Sequence, residues 1–88
     1  MKTVILNHRV KDFATWKPIF DADTERRNKA GLKQIAVGTD SNDKQEVYMI
    51  FQTQDVDRAM KMMDEPGLEE TMQKAGVISK PKFIFLDH

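Results

Sequence analysis

Residues 8–31 constrain the fold of this chain most strongly, because they contain its longest helical pattern. An α-helix advances about 100° per residue, so Trp16 and Phe20 fall on one apolar stripe. Pro18 is tolerated in the first turn of a helix but breaks a helix interior. The sequence therefore predicts an irregular entry turn, a regular helix over residues 16–30, and an end at the glycine that follows.

Two charged residues, Asp23 and Arg27, fall within the same apolar stripe, one turn apart, where an i,i+4 pair can form. A buried charge is costly unless it is paired or solvated. One interpretation is that both side chains line a pocket between this helix and a sheet. The other is a partly exposed ion pair near the helix end, with its apolar stems lying on the core.

The rest of the chain alternates between strand and helix patterns. Period-two alternation predicts strands at residues 2–10, 32–39, 45–53 and 82–86. Asp55 suits the N-cap of a second helical pattern, and Pro66 suits the start of a further short helix. The order β-α-β-β-α-β predicts a single ferredoxin-like α+β domain over residues 1–88, with an antiparallel four-stranded sheet and a second helix split in two.

The third and fourth strands, which contain VYMIF and FIFL, are apolar on both faces. Helices cover one face of such a sheet, and the other face is normally polar. We therefore expect an identical sheet from a second copy to cover that face and to give a two-fold homodimer. The alternative is an exposed apolar patch that lowers solubility, which monomers rarely carry over a large area.

Composition narrows the classes of partner. Fourteen basic and fourteen acidic residues give zero net charge, whereas nucleic-acid binding needs a basic surface. The chain has no cysteine and therefore no disulfide or thiolate metal site. No apolar run approaches the roughly 20 residues that cross a bilayer, and no signal-peptide pattern is present. We expect a cytoplasmic protein that binds neither nucleic acid nor membrane.

One pattern resembles a known family. The pattern is HxVxDFxxWKxxFD, formed by His8, Val10, Asp12, Phe13, Trp16, Lys17, Phe20 and Asp21. Together with Arg27, AGL at residues 30–32 and MQKAGV at residues 72–77, it resembles small bacterial proteins of the dimeric α+β barrel superfamily, described as cyclase-like or antibiotic-biosynthesis-monooxygenase-like. The resemblance implies ferredoxin-like subunits and a dimer. It implies activity only broadly, because the superfamily includes cofactor-independent oxygenases, isomerases, cyclases, haem-binding members and proteins with no assigned role.

The candidate catalytic residues are His8, Asp23 and Arg27. His8 is the best acid/base candidate, because its unperturbed pKa is about 6.5; the alternative is a structural histidine. The candidate ligand-binding residues are Trp16, Phe20, Tyr48 and Met60. Core packing is the alternative for Tyr48 and Met60. No phosphate loop, nucleophile elbow or paired-histidine motif is present, and we predict neither a metal nor a cofactor.

These residues favour a small-molecule-binding homodimer. One hypothesis is a cofactor-independent enzyme, monooxygenase-, cyclase- or isomerase-like, that acts on an apolar or aromatic metabolite. The alternative is a non-catalytic ligand-binding or stress-associated dimer. A ferredoxin-like nucleic-acid binder ranks last, because the charge is balanced and the dimer would hide the sheet aromatics.

Overall fold

The computed structural model describes residues 1–88 and contains four strands and four helices. The elements are β1 (Lys2–Arg9), α1 (Phe13–Ala22), α2 (Thr24–Lys29), β2 (Lys33–Thr39), β3 (Glu46–Thr53), α3 (Val56–Met63), α4 (Pro66–Lys74) and β4 (Lys82–Asp87). The strands form one sheet in the order β2-β3-β1-β4, and every neighbouring pair is antiparallel. The predicted ferredoxin-like α+β fold is confirmed, as is the division of the second helical segment into two helices.

The prediction for the first helical segment is wrong in two respects. The helix begins at Phe13 and has no irregular entry turn, because the Asp12 carboxylate accepts hydrogen bonds from the Ala14 amide at 3.3 Å and the Thr15 hydroxyl at 2.7 Å. The segment is also not continuous. It breaks between α1 and α2, where the Thr24 hydroxyl donates to the Asp21 carbonyl oxygen at 2.6 Å.

The second helical segment follows its sequence signals closely. The Asp55 carboxylate accepts a hydrogen bond from the Arg58 amide at 3.0 Å and caps α3. Pro66 is the first residue of α4, where its missing amide hydrogen costs nothing. Gly31 and Gly76, which follow α2 and α4, have positive φ angles of 77° and 82°. The chain reverses at these two glycines to enter β2 and the connection to β4.

The helices cover one side of the sheet, which we call the inner face. Its centre is formed by alternate residues of β3, Val47, Met49 and Phe51, whose exposed fractions are 0%, 1% and 2%. These three residues belong to one core cluster with side chains from all four helical segments and their ends. The opposite, outer face carries Ile5, Tyr48, Ile50, Ile84 and Leu86, the last two of which are 55% and 46% exposed. None of the helices is both long and apolar enough to cross a bilayer.

Candidate functional site

A cavity of ≈ 80 Å³ lies between the inner face and the helices. The twenty residues that line it come mainly from β1, β3, β4 and the four helices, and sixteen of them are hydrophobic. The remaining four are His8, Asp23, Arg27 and Thr71. A water molecule takes about 30 Å³ in the liquid, so the cavity has room for a few waters or for a compact apolar group.

His8 lies on β1 opposite Val47 and is only 4% exposed. Both of its ring nitrogens are buried, and neither has a hydrogen-bond partner. Its ring meets the Trp16 indole edge to face, with the ring centroids 5.5 Å apart. Burial disfavours the imidazolium and lowers the pKa of His8 to about 4, although the charge of Glu46 acts in the opposite direction. His8 is therefore neutral at pH 7 and has hydrogen-bonding capacity that the protein does not use.

Arg27 projects from α2 into the same cavity and is 7% exposed. Its guanidinium carbon lies 3.6 Å from the centroid of the Phe20 ring, which is a close cation–π contact. Its Nη2 donates to the Thr24 hydroxyl at 3.2 Å, but no carboxylate comes within ion-pair distance. Burial lowers the pKa of the Arg27 guanidinium, with the more distant charges of Asp23 and Asp21 opposing that shift. Arginine nevertheless stays protonated in proteins, so the cavity contains a buried positive charge.

Asp23 lines the cavity, but the structure does not pair it with Arg27 as the helical spacing predicted. Its carboxylate lies 3.1 Å from Nε of Arg26, and Arg26 also contacts Glu65 at the start of α4, at 3.0 Å. The break between α1 and α2 explains the difference, because it changes the angular relation on which an i,i+4 pair depends. The interpretation as a partly exposed Asp23–Arg27 ion pair is therefore wrong.

The four predicted ligand-binding residues fall in three positions. Phe20 and Met60 line the cavity. Trp16 is 2% exposed and lies behind the lining, where it stacks on Phe20 with a centroid distance of 4.7 Å. Tyr48 lies on the outer face and is 40% exposed, so the structure does not bring it to the cavity. Aromatic and cation–π contacts thus connect His8 to Trp16, Trp16 to Phe20, and Phe20 to Arg27.

Some residues of the lining were not among those predicted for the site. Thr71 on α4 and Phe83 on β4 contribute to the cavity wall. Phe83 pairs in register with Leu6 and therefore shares the inner face with it. Strand parity places Phe83 and Phe85 on a common face of β4, so the sequence contained a signal for the position of Phe83. The position of Thr71 depends on how α4 packs and had no such signal.

Comparison with known proteins identifies a family and a group of structural neighbours. A family model described as "Domain of unknown function (DUF3764)" matches residues 1–82. No curated protein matches the chain. The structural neighbours include a proposed antibiotic biosynthesis monooxygenase from Bordetella bronchiseptica, with 13% identity and a TM-score of 0.77 over 99% of this chain and 95% of the other.

Two further neighbours show how varied this group is. SnoaB, a cofactor-independent oxygenase from Streptomyces nogalater, is 12% identical and has a TM-score of 0.70 over 99% of this chain and 91% of the other. A nipsnap family protein with unknown function from Agrobacterium tumefaciens is also 12% identical, with a TM-score of 0.67 over 98% and 87% of the two chains. The TM-scores establish that these proteins share the fold of this chain, as the resemblance implied. Identities this low show the fold alone and do not transfer an activity.

Proposed function

This chain belongs to the DUF3764 family, and we propose that it is a cytoplasmic homodimer that binds and chemically transforms a small apolar or aromatic metabolite without a cofactor. The ligand occupies the cavity between the helices and the inner face. His8, Asp23 and Arg27 supply its polar groups, and Phe20 and Met60 contribute to its apolar wall. The observation that carries the proposal is the pair of unpartnered ring nitrogens of His8 inside a mostly apolar cavity.

An unpartnered polar group in a protein interior is unfavourable, by about 1–3 kcal/mol for each hydrogen bond that is left unmade. Buried polar groups without partners are rare in folded proteins and often have a functional explanation. A ligand with a hydroxyl or carbonyl group would form a hydrogen bond with one ring nitrogen of His8 and regain that part of the free energy. The same site would accept the rest of the ligand through apolar contacts.

The neutral state of His8 also permits chemistry. A neutral imidazole accepts a proton from an acidic hydroxyl or C–H group of the ligand, and the ligand is left as an anion beside the positive charge of Arg27. Return of the proton to another atom of the ligand is an isomerisation and needs no co-reactant. Reaction of the anion with dioxygen is an oxygenation, and the structural neighbour SnoaB is a cofactor-independent oxygenase.

A second candidate function, ligand binding without turnover, is favoured by one specific observation. No carboxylate or carbonyl group accepts a hydrogen bond from His8, and its pKa of about 4 is far below neutral pH. General bases are usually oriented by a third group and have a pKa near the working pH. Under this alternative, His8 recognises a ligand group and transfers no proton.

The homodimer is supported by the outer face. Its apolar residues come from three adjacent strands, β1, β3 and β4, and form a continuous patch on the sheet. Tyr48, Ile84 and Leu86 are each at least 40% exposed in the single chain. Large contiguous apolar patches of this kind mark interaction surfaces, and an antiparallel sheet can pair face to face with a second copy of itself.

A matched pair of ligands tests the role of His8. Trp16 is the only tryptophan of the chain and contacts both His8 and Phe20, so its fluorescence reports on the cavity. We expect phenol to bind more tightly than toluene, by about tenfold, because only phenol can hydrogen-bond to His8. The variant His8→Leu should lose this preference. The control variant His88→Leu, which alters the other histidine, should keep it.

Turnover distinguishes the two candidate functions. Wild-type protein is incubated with catechol in air without added cofactor, and oxygen uptake is followed with an electrode. Uptake that disappears in His8→Leu and persists in His88→Leu supports the enzyme. Saturable binding of phenol without uptake supports the non-catalytic function. Equal affinity for phenol and toluene in the wild type would contradict the proposed role of His8 in both.

A further inference from the structure

We propose that Arg27 is a carboxylate receptor, and that the cavity therefore takes a compact apolar monocarboxylic acid. The inference deepens the proposed function, and it rests on the cavity being a ligand site. The structural reason is that Arg27 contributes a buried positive charge that no group of the protein neutralises at close range.

Arg27 and Arg9 differ in how their positive charges are neutralised. Arg9 has a side chain that is 37% exposed, yet its Nη1 lies 2.9 Å from both Asp43 and Glu46, and its Nη2 donates to Gln45 at 2.6 Å. Arg27 is 7% exposed and has one neutral partner, Thr24. Water compensates an exposed charge, whereas a buried one needs a counterion. The arginine that most needs an anion is thus the one that has none.

Asp23 carries the carboxylate that lines the cavity, but another arginine holds it. Arg26 holds it at 3.1 Å and is itself held by Glu65 at 3.0 Å. The glycine at position 67 leaves room for this arrangement, because a Cβ atom there would lie 3.2 Å from Nη2 of Arg26. Asp23 is therefore engaged on the side of Arg26, and its distant charge does not replace a direct partner for Arg27.

The free hydrogen-bond donors of Arg27 have the geometry that a carboxylate requires. The Phe20 ring covers one face of the Arg27 guanidinium at 3.6 Å, and Thr24 occupies Nη2. Nε and Nη1 have no partner in the protein, and their N–H groups lie in the plane of the guanidinium. A carboxylate binds arginine in that plane through two parallel hydrogen bonds, while a stacked aromatic ring holds the guanidinium flat.

The volume of the cavity limits the size of the ligand. The cavity has ≈ 80 Å³ of free space, and most of its wall is hydrophobic. An apolar cavity of about 150 Å³ accommodates benzene. The present cavity is about half as large, so it must widen to admit a branched aliphatic acid of about five carbons. Met60, Met63 and Met72 line the wall, and movement of their flexible side chains widens the cavity for such an acid or, with a larger displacement, for an aromatic acid. Isovalerate and phenylacetate represent these two sizes.

The test compares each acid with its neutral amide, since the two differ in charge and hardly in shape. Isovalerate, isovaleramide, phenylacetate and phenylacetamide are titrated into the wild-type protein at pH 7, with Trp16 fluorescence or heat as the signal. At least one acid is expected to bind about tenfold or more tightly than its amide, which is the range expected for charge-assisted hydrogen bonds. Arg27→Met should abolish the preference, and Arg27→Lys, which keeps the charge without the planar fork, should reduce it.

Arg58→Met is the matched control, because Arg58 is an exposed arginine that does not line the cavity. It should leave the preference unchanged. Circular dichroism establishes that each variant is folded, and Arg27→Lys carries the test if Arg27→Met does not fold. Equal affinity for acid and amide in the wild type would overturn the carboxylate inference while leaving the ligand site in place. Binding of neither compound, together with no binding of phenol, would overturn both.

Discussion

The unusual environment of His8 predicts that the free energy of unfolding depends on pH between about 4 and 6.5. The pKa of His8 is about 4 in the folded chain, and the unperturbed value for histidine is 6.5. In this interval the unfolded chain binds a proton that the folded chain excludes. Stability therefore rises with pH through the window and is complete above the unfolded pKa.

The magnitude follows from the two pKa values. One pKa unit corresponds to about 1.4 kcal/mol, so full protonation of His8 in the unfolded chain removes about 3 kcal/mol of stability. Between pH 7.5 and pH 5, the part that can be measured without extensive carboxylate titration, we expect a loss of about 2 kcal/mol. The small exposed fraction of His8, 4%, justifies using the shift without a correction for solvent screening.

The assay is urea unfolding followed by circular dichroism at pH 7.5, 6.5, 5.5 and 5.0, at a single protein concentration because the proposed dimer makes stability concentration-dependent. His8→Leu removes the titrating group and fills similar space, and it should be at least as stable as the wild type at pH 7.5. The difference between wild type and His8→Leu isolates the histidine, because all other titrating groups are common to both. Parallel pH profiles for the two proteins would refute the reasoning.

Three further predictions concern the fold and the assembly. Asp55→Ala should lower the free energy of unfolding by about 1 kcal/mol, because it removes the acceptor for the Arg58 amide. The control Asp57→Ala should lower it much less, and equal losses in urea melts would contradict the capping role of Asp55. Gly31→Ala should cost about 1–2 kcal/mol, because φ at this position is +77°, and an unchanged melt would argue against that backbone geometry. Ile84→Lys should convert the proposed dimer into a monomer of 10.2 kDa in sedimentation equilibrium, and a wild-type chain that already sediments at that mass would contradict the dimer.

Strand parity predicted much of the fold. Because side chains of a strand alternate between faces, the sequence placed Val47, Met49 and Phe51 together, and the structure buries all three. The break between α1 and α2 was not predictable from helical periodicity. It depends on the Thr24 hydroxyl competing for a backbone carbonyl, and threonine is also common within unbroken helices.

The candidate site was predictable in part for the same reasons. Parity placed His8 on the face with Leu6, the angular rule placed Phe20 and Arg27 on one stripe, and the structure brings these residues to one cavity. The same parity puts Tyr48 on the other face of the sheet from Met49. The prediction that Tyr48 binds the ligand therefore conflicted with a signal already in the sequence. The pairing of Asp23 with Arg26 follows from the helix break, and tertiary packing alone positions Thr71.

We propose above all that the space between the helices and the inner face holds a ligand. A crystal structure of the protein, purified without denaturation from its native host, tests this most directly. We expect electron density for a compact molecule in the cavity, within hydrogen-bond distance of a His8 ring nitrogen and in contact with Phe20, with an acidic group against Arg27. A cavity closed by repacked methionine and phenylalanine side chains, with His8 bonded to a protein group, would contradict it.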